Sequence, residues 1–464
     1  MTHQADKAIT GGLVVADGRI SPATVLITGD RISAVTDPSA PFRTGQIIDA
    51  KGKYVLPGII DAHLHSVYLD RIDTLSRAAA SEGITTLIPY VGSVKAWGVD
   101  KKLDQAMKDF IQEGNETSLI DFSLHCTLLA GDVEDCDQSI PAMIEMGIVS
   151  FKVFMAYRKR GMMVEDEQLL KIMSVIADHG GLLAAHAENG ALIDYMERYF
   201  SSRNQQHPKY YGASHPELSE AEAVFRFLSL ARTAGCDTYL PHLSTAKALD
   251  VVRLFRKWNG QKFYTETCPH YLLLNERVFT EMGSIAKMSP PLRQREDQES
   301  LWQAVAEGLI DVVASDHAAS HSTQKMPQWD KVFSAPNGVP GMECLVPLML
   351  KKGVMEGRTT LIRTVEQLCE KPAKIFGLYP RKGVIAKGAD ADIAIFDLAG
   401  SRELAATHPE LKIDYSLYEK MTVTAPPDLV LLRGRTVATK GVPVIDGEAG
   451  PQGMFIAGKT AKTP

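Results

Sequence analysis

The chain has 464 residues, 45% of them apolar, and a formal charge of −6. That length suits two or three domains, or one large barrel with an appendage, and the lack of a basic run argues against nucleic acid and anionic membrane surfaces as partners. No apolar run approaches a membrane span, the opening MTHQADK has no leader-like apolar core, and the cysteines (Cys126, Cys136, Cys236, Cys268, Cys344, Cys369) show no CxxC spacing, so they read as buried free thiols of a cytoplasmic protein.

Residues 8 to about 54 are β-prone. The runs AITGGLVVADGRI, ATVLITGDRISAV and QIIDAKGKYV are split by Gly-Gly, Asp-Gly, Gly-Asp and Lys-Gly pairs, which are hairpin signals. The same texture returns in ADIAIFDL and DLVLLRGRTVATKGVPV. The two ends are expected to pair into one small β-sandwich, 1–56 plus 383–464, around a middle unit of 57–382.

In that middle, apolar strands are predicted near 55–63, 85–91, 120–129, 148–156, 182–187, 238–243, 262–268 and 311–315. Helical stretches near 70–82, 101–113, 164–179, 217–234, 244–258 and 296–307 separate them. Gly83, Gly114, Gly147, Gly180, Gly235, Gly260 and Gly308 fall between a helix and the next strand, where a left-handed cap is expected. Alternation of β and α elements with a strand count of eight predicts an α/β fold, a TIM-like (β/α)8 barrel, over a doubly wound sheet.

The stretch VLPGIIDAHLHS organises the site. The run Val55–Ile60 reads as one buried strand, and alternation places Asp61, His63 and His65 on a common face at its C-terminal end. Two imidazoles there are set to chelate a metal, with Asp61 placed to orient a ligand. Lys152 lies in the fourth strand, His186 ends the fifth, His242 the sixth, and Asp316 and His317 the eighth. Barrel active sites lie at the C-terminal strand ends, so six ligand-type side chains converge on one mouth. His125 and His270 read as structural or as neighbours of ligands, His321 as a loop residue, and Arg293–Arg295 as a solvated turn.

The pieces PGIIDAHLH, SFKVFMAY, HAEN, HLST, TCPHYL, MSPPLR, SDH, NGVPG and GADADIAIFD occur in that order, and together the chain resembles the cyclic amidohydrolases of the dihydropyrimidinase and hydantoinase group. The resemblance implies a TIM barrel flanked by a β-sandwich and two divalent metals, usually zinc. His63, His65 and Asp316 would hold the first metal, and His186 and His242 the second. Lys152, carbamylated by carbon dioxide, would bridge them; burial that leaves the amine neutral is what lets it react. The group opens hydantoins, dihydropyrimidines and related cyclic imides or ureides to N-carbamoyl amino acids or half-amides, by attack of a hydroxide that bridges the metals. Tyr157 matches the oxyanion-binding tyrosine, Asp316 the proton carrier, and Ser289 and Asn337 positions whose backbone holds the imide edge. Relatives are commonly homotetramers, so an oligomer is expected.

Three departures shift the expected substrate. Ser66 and Val67 follow His65 where dihydroorotases carry an Arg for a carboxylate on the ring. Ala318 and Ala319 follow the SDH motif where dihydropyrimidinases usually carry a Cys or similar residue, and the 66–73 loop is short. A hydantoinase-like preference is therefore expected. Allantoinase is the alternative among enzymes, and a non-catalytic scaffold such as the collapsin response mediator proteins is the alternative outside them.

Overall fold

The computed structural model describes residues 3–258, 260–445, 452–460 and 462; the remaining residues of the two expected β-rich ends lie outside the described set. Eight parallel strands line the barrel: β1 (Ile59–Leu64), β2 (Ile84–Val91), β3 (His125–Thr127), β4 (Ser150–Phe154), β5 (Leu182–His186), β6 (Asp237–Leu240), β7 (Phe263–Thr267) and β8 (Val312–Val313). Each pairs with the next up to β8, and a short strand, Asp121–Phe122, also pairs with β2. The ring is completed beyond β8, where Leu64 bridges His317 and the Asp316 N–H donates to His63 O at 2.8 Å. Helices such as Ile72–Ser81, Asp166–His179, Glu217–Ala234 and Arg295–Glu307 pack around it. Their inner faces are apolar, and Gly180, Gly235 and Gly308 end three of them at positive φ. Gly114 differs from expectation. It lies inside the helix Leu103–Thr117, where a Cβ would meet the Phe122 ring at 2.2 Å; it permits close helix–strand packing and caps nothing.

The run Val55–Ile60 is not one strand. Tyr54–Pro57 belongs to a separate sheet outside the barrel, and β1 starts at Ile59. Gly58 makes the passage, because a Cβ there would lie 2.1 Å from Thr85 Oγ1. In the outer sheet Tyr54–Pro57 runs antiparallel to Ile393–Phe396 and parallel to Leu13–Ala16. Strands from both chain ends therefore share one seven-stranded sheet. A second sheet of four strands, all from the N-terminal 49 residues, packs on it through Val25, Ile27, Val55, Ile393 and Leu431. Lys382 joins this part to the barrel: its Nζ lies 2.5 Å from Asp121, 2.6 Å from Asp392 and 2.8 Å from Asp390. Residues 453–460 run back under the barrel floor, where Ile456 N–H donates to Phe122 O at 2.7 Å and Gly458 N–H to Gly147 O at 2.8 Å. All six cysteines are buried and free, and among the described residues no helix is long and apolar enough to cross a membrane.

Candidate metal centre

The C-terminal strand ends bring one imidazole after another to the same point. His63 Nε2 lies 3.0 Å and His65 Nε2 3.4 Å from Asp316 Oδ1. These three residues form a group whose ligand-type atoms lie within 4.8 Å of one another. Across the mouth, His186 Nδ1 faces His242 Nε2 at 3.2 Å, and the His242 ring centroid is 5.5 Å from that of His63. Two imidazole nitrogens facing each other at that distance leave room for little except a shared proton or a cation beside them.

Carboxylates behind the ring fix which nitrogen faces inward. His63 Nδ1 pairs with Glu266 Oε1 at 2.6 Å, leaving Nε2 for the cavity. Glu266 also accepts the Tyr239 hydroxyl at 2.7 Å and the His242 N–H at 3.0 Å. His186 Nε2 pairs with Glu188 Oε2 at 2.8 Å, leaving Nδ1 free. A buried carboxylate on the outer nitrogen sets the tautomer and makes the inner one a better ligand. Neither Glu188 nor Glu266 is singled out by sequence reasoning, although Glu188 stands inside the HAEN motif and Glu266 directly precedes TCPHYL; their signal is a carboxylate beside a motif histidine, or on a buried strand. Asp61, expected to orient a metal ligand, accepts the His63 N–H at 3.4 Å and the Ser315 N–H at 3.0 Å, and so ties β1 to the segment that carries Asp316.

Lys152 stands at the centre of β4 and is 2% exposed. Its Nζ lies 4.8 Å from the Tyr90 ring centroid, and among the described residues it has neither a hydrogen-bond nor an ion-pair partner. Burial draws its pKa down to about 8, against the pull of Asp316 and Glu266. For Asp316 the order reverses: burial raises the pKa, but His63, His65 and His242 outweigh it and hold the carboxyl well below its ordinary value. Burial lowers His65 and His242, the latter strongly, so these imidazoles are neutral and free to ligate.

Three of the site residues carry left-handed backbone: Tyr157 at φ 67°, His242 at 44° and Asp316 at 47°. Non-glycine residues hold this conformation at a cost of about 1–3 kcal/mol each, and such strain gathers at functional sites. It also explains the shortened strands. β6 ends at Leu240 and β8 at Val313, and the following residues turn inward to deliver His242 and Asp316. Tyr157 packs against His186, ring centroids 4.8 Å apart, and burial raises its hydroxyl pKa, keeping it a donor. Ser289 Oγ lies 2.6 Å from the Tyr211 hydroxyl, which also donates to Asn337 Oδ1 at 3.3 Å. Tyr211, not anticipated from sequence, thereby links the two segments. All nine expected residues (His63, His65, Lys152, Tyr157, His186, His242, Ser289, Asp316 and Asn337) line one pocket that opens to solvent.

His125 lies outside it, held by Ser150 Oγ and by Ala62 O at 2.9 Å. His270 does line it, and neither ring nitrogen has a partner among the described residues. His321 is exposed near Asp414, at 3.9 Å. The expectation of a solvated turn at Arg293 fails. Its guanidinium is buried, donates to Ser244 Oγ at 3.0 Å and to His215 O, and lies 4.0 Å from both Glu188 and Glu220. Those partners are remote in sequence, and two buried carboxylates need a cation between them.

The amidohydrolase family profile matches residues 54–437. Among curated proteins, an L-hydantoinase of Paenarthrobacter aurescens is 34% identical over 442 residues, 94% of each chain. A D-phenylhydantoinase of Escherichia coli O1:K1 is 35% identical over 468 residues, 98% of this chain and 99% of that one. Among solved structures, the D-hydantoinase from Bacillus sp. AR9 superposes with a TM-score of 0.89 at 33% identity, covering 98% of this chain and 99% of that one. The dihydropyrimidinase from Brevibacillus agri NCHU1002 gives 0.90 at 30%, covering 99% and 100%. A profile match across the barrel, near-complete overlap at a third identity and the same overall fold together place this chain in the amidohydrolase family.

Proposed function

We propose that this chain is a two-metal hydrolase that opens cyclic amide rings, with hydantoins preferred over dihydropyrimidines and other cyclic imides. The observation that carries the reading is Lys152, a buried amine without an acceptor among the described residues, enclosed by four inward imidazoles and Asp316. An unpaired buried ammonium is unfavourable, whereas a carbamate on that nitrogen offers two oxygens to two cations. The donor set fits a binuclear centre: His63, His65 and Asp316 would hold one ion, His186 and His242 the other, and Lys152, once carbamylated, would serve both. Bound there, two divalent ions such as zinc supply a water of lowered pKa and a Lewis acid for the ring carbonyl.

The residues of the chain do the rest. The Tyr157 hydroxyl, held protonated by burial, donates to the carbonyl oxygen as negative charge develops on it. Asp316 Oδ1 takes the proton of the attacking water and returns it to the leaving ring nitrogen. Ser289 and Asn337, joined through Tyr211, hold the imide edge with their backbone groups. The hydantoinase names of the relatives support this substrate class. We also assign the barrel unit to 57–382, the β unit to 1–56 with 383–464, and a cytoplasmic homotetramer as the working assembly, which light scattering tests.

The test is ring opening by zinc-reconstituted protein, read by mass spectrometry as the gain of one water. The substrates are 5-substituted hydantoins, dihydrouracil, allantoin and simple cyclic imides. Chelator-sensitive turnover with hydantoins ahead is expected; a fully metallated protein that opens none of the rings refutes the proposal.

A further inference from the structure

We propose that the cavity selects rings whose side group ends in an anion, and that Arg160 is the residue that selects them. This rests on the ring-opening reading above and names the substrate class within it. Arg158, Lys159 and Arg160 form a single turn of three cations directly after Tyr157. The first two are matched by carboxylates: Arg158 lies 2.9 Å from Glu165, and Lys159 lies 2.7 Å from Glu197 and 3.4 Å from Asp194. Arg160 has no carboxylate within ion-pair range among the described residues. Its guanidinium sits 5.6 Å from the Tyr157 ring centroid.

Arg160 also stands where a substituent must pass. It lines the site pocket and a wider one of about 430 Å³, and the two share Tyr68, Tyr157, Ser289, Ala318 and Asn337. The charged groups lining the wider cavity are Lys159, Arg160, Lys287, Asp194 and Glu197, three cations facing two carboxylates. Lys159 occupies both carboxylates, and buried Lys287 is spent on the carbonyls of Phe333 and Ala335, at 3.2 and 2.8 Å. The guanidinium of Arg160 remains, and much of the remaining wall is apolar, with Ile193, Phe333, Ala335 and Pro336. Its turn is fixed: Tyr157 and Gly161 flank it with left-handed φ, Arg160 N–H donates to Tyr157 O at 3.0 Å, and Val164 N–H donates to Phe154 O at 2.9 Å. A guanidinium on a rigid turn at the end of an apolar path matches a carboxylate, which it binds with two parallel hydrogen bonds. The substrate class is thus a hydantoin bearing a short carboxyalkyl arm, and its product is an N-carbamoyl dicarboxylic amino acid.

The experiment compares 5-(2-carboxyethyl)hydantoin with its uncharged amide, 5-(2-carbamoylethyl)hydantoin, in zinc-loaded wild type, R160Q and R160E. Wild type should favour the acid by about tenfold in kcat/KM, between the value of an exposed ion pair and that of a desolvated one. In R160Q the ratio should fall to about one, with the change in KM, and R160E should turn the preference toward 5-(4-aminobutyl)hydantoin, which carries an ammonium. Equal use of acid and amide by wild type, or a ratio that survives in R160Q, overturns the assignment. Calorimetric binding of the same two rings separates the two levels of inference. Protein that binds the acid more tightly through Arg160 but opens neither ring keeps the anion site and removes the ring-opening reading. Protein that opens both rings without distinguishing them does the reverse.

Discussion

Replacing Lys152 with Met separates the reactivity of the buried amine from its burden on the fold. Burial lowers the lysine pKa from 10.5 to about 8 in the metal-free protein. Between those values the unfolded chain binds more protons than the native one, so stability rises with pH across that window and is lowest, on this account, below pH 8. The whole interval corresponds to about 3 kcal/mol of native-state penalty at pH 7. Methionine fills a similar volume without a charge. Chelator-treated K152M should therefore be more stable than wild type by about 3 kcal/mol at pH 7, and the gain should fade toward pH 10.5. The same lowering raises the neutral amine fraction at pH 7 roughly 300-fold over that of an ordinary lysine, which is what carbamylation requires. Urea denaturation of both metal-free proteins from pH 7 to 10 measures the first effect, and ring opening and bound metal measure the second. The variant should be stable, poorly metallated and inactive. A K152M protein that is less stable at pH 7, or that still opens rings, refutes the role given to this residue.

Three other substitutions probe the remaining parts. Asp316→Asn should lower turnover by about 10³-fold or more through loss of the proton carrier, and should also lose metal; near-normal turnover at full metal content would exclude that role. Tyr157→Phe should lower kcat by about 10²–10³-fold with metal content unchanged, as removal of one oxyanion donor does, and preserved kcat would show that the hydroxyl does not face the developing charge. Glu266→Gln should weaken metal retention by about 10–100-fold in a chelator competition, because His63 loses the charged partner on its outer nitrogen; unchanged retention would mean that the pair is only structural.

The parts of this site that were legible in sequence are those written in local periodicity. His63 lies at the end of one strand and His186 closes another, so alternation aims both at the mouth, while His65 falls one residue past the strand end at Leu64. His242 and Asp316 were legible as the ends of apolar runs, but not their left-handed backbone, because neighbouring contacts hold it and their own residue types do not. Arg293 was misread for a related reason: a polar residue after two prolines looks solvated, and Glu188, Glu220 and His215, which bury it, lie 73–105 positions upstream. The run Val55–Ile60 hides its break at Gly58 because both halves are apolar and both are buried, and hydropathy is blind to a change of sheet. Glu266 escaped because a carboxylate within an apolar strand carries no local sign of the three donors that surround it.

The same break at Gly58 has a consequence for biosynthesis. Tyr54–Pro57 gains its neighbour Leu13–Ala16 early, but its other edge waits for Ile393–Phe396, roughly 340 residues later on the ribosome. At about 5–20 residues per second that wait lasts on the order of 20–70 s. During it a half-paired strand lies one residue upstream of the segment that bears His63 and His65, with an unsatisfied edge open to any other strand. Slowed elongation, or premature termination before Ile393, would lengthen the exposure of the very stretch on which the metal centre is built.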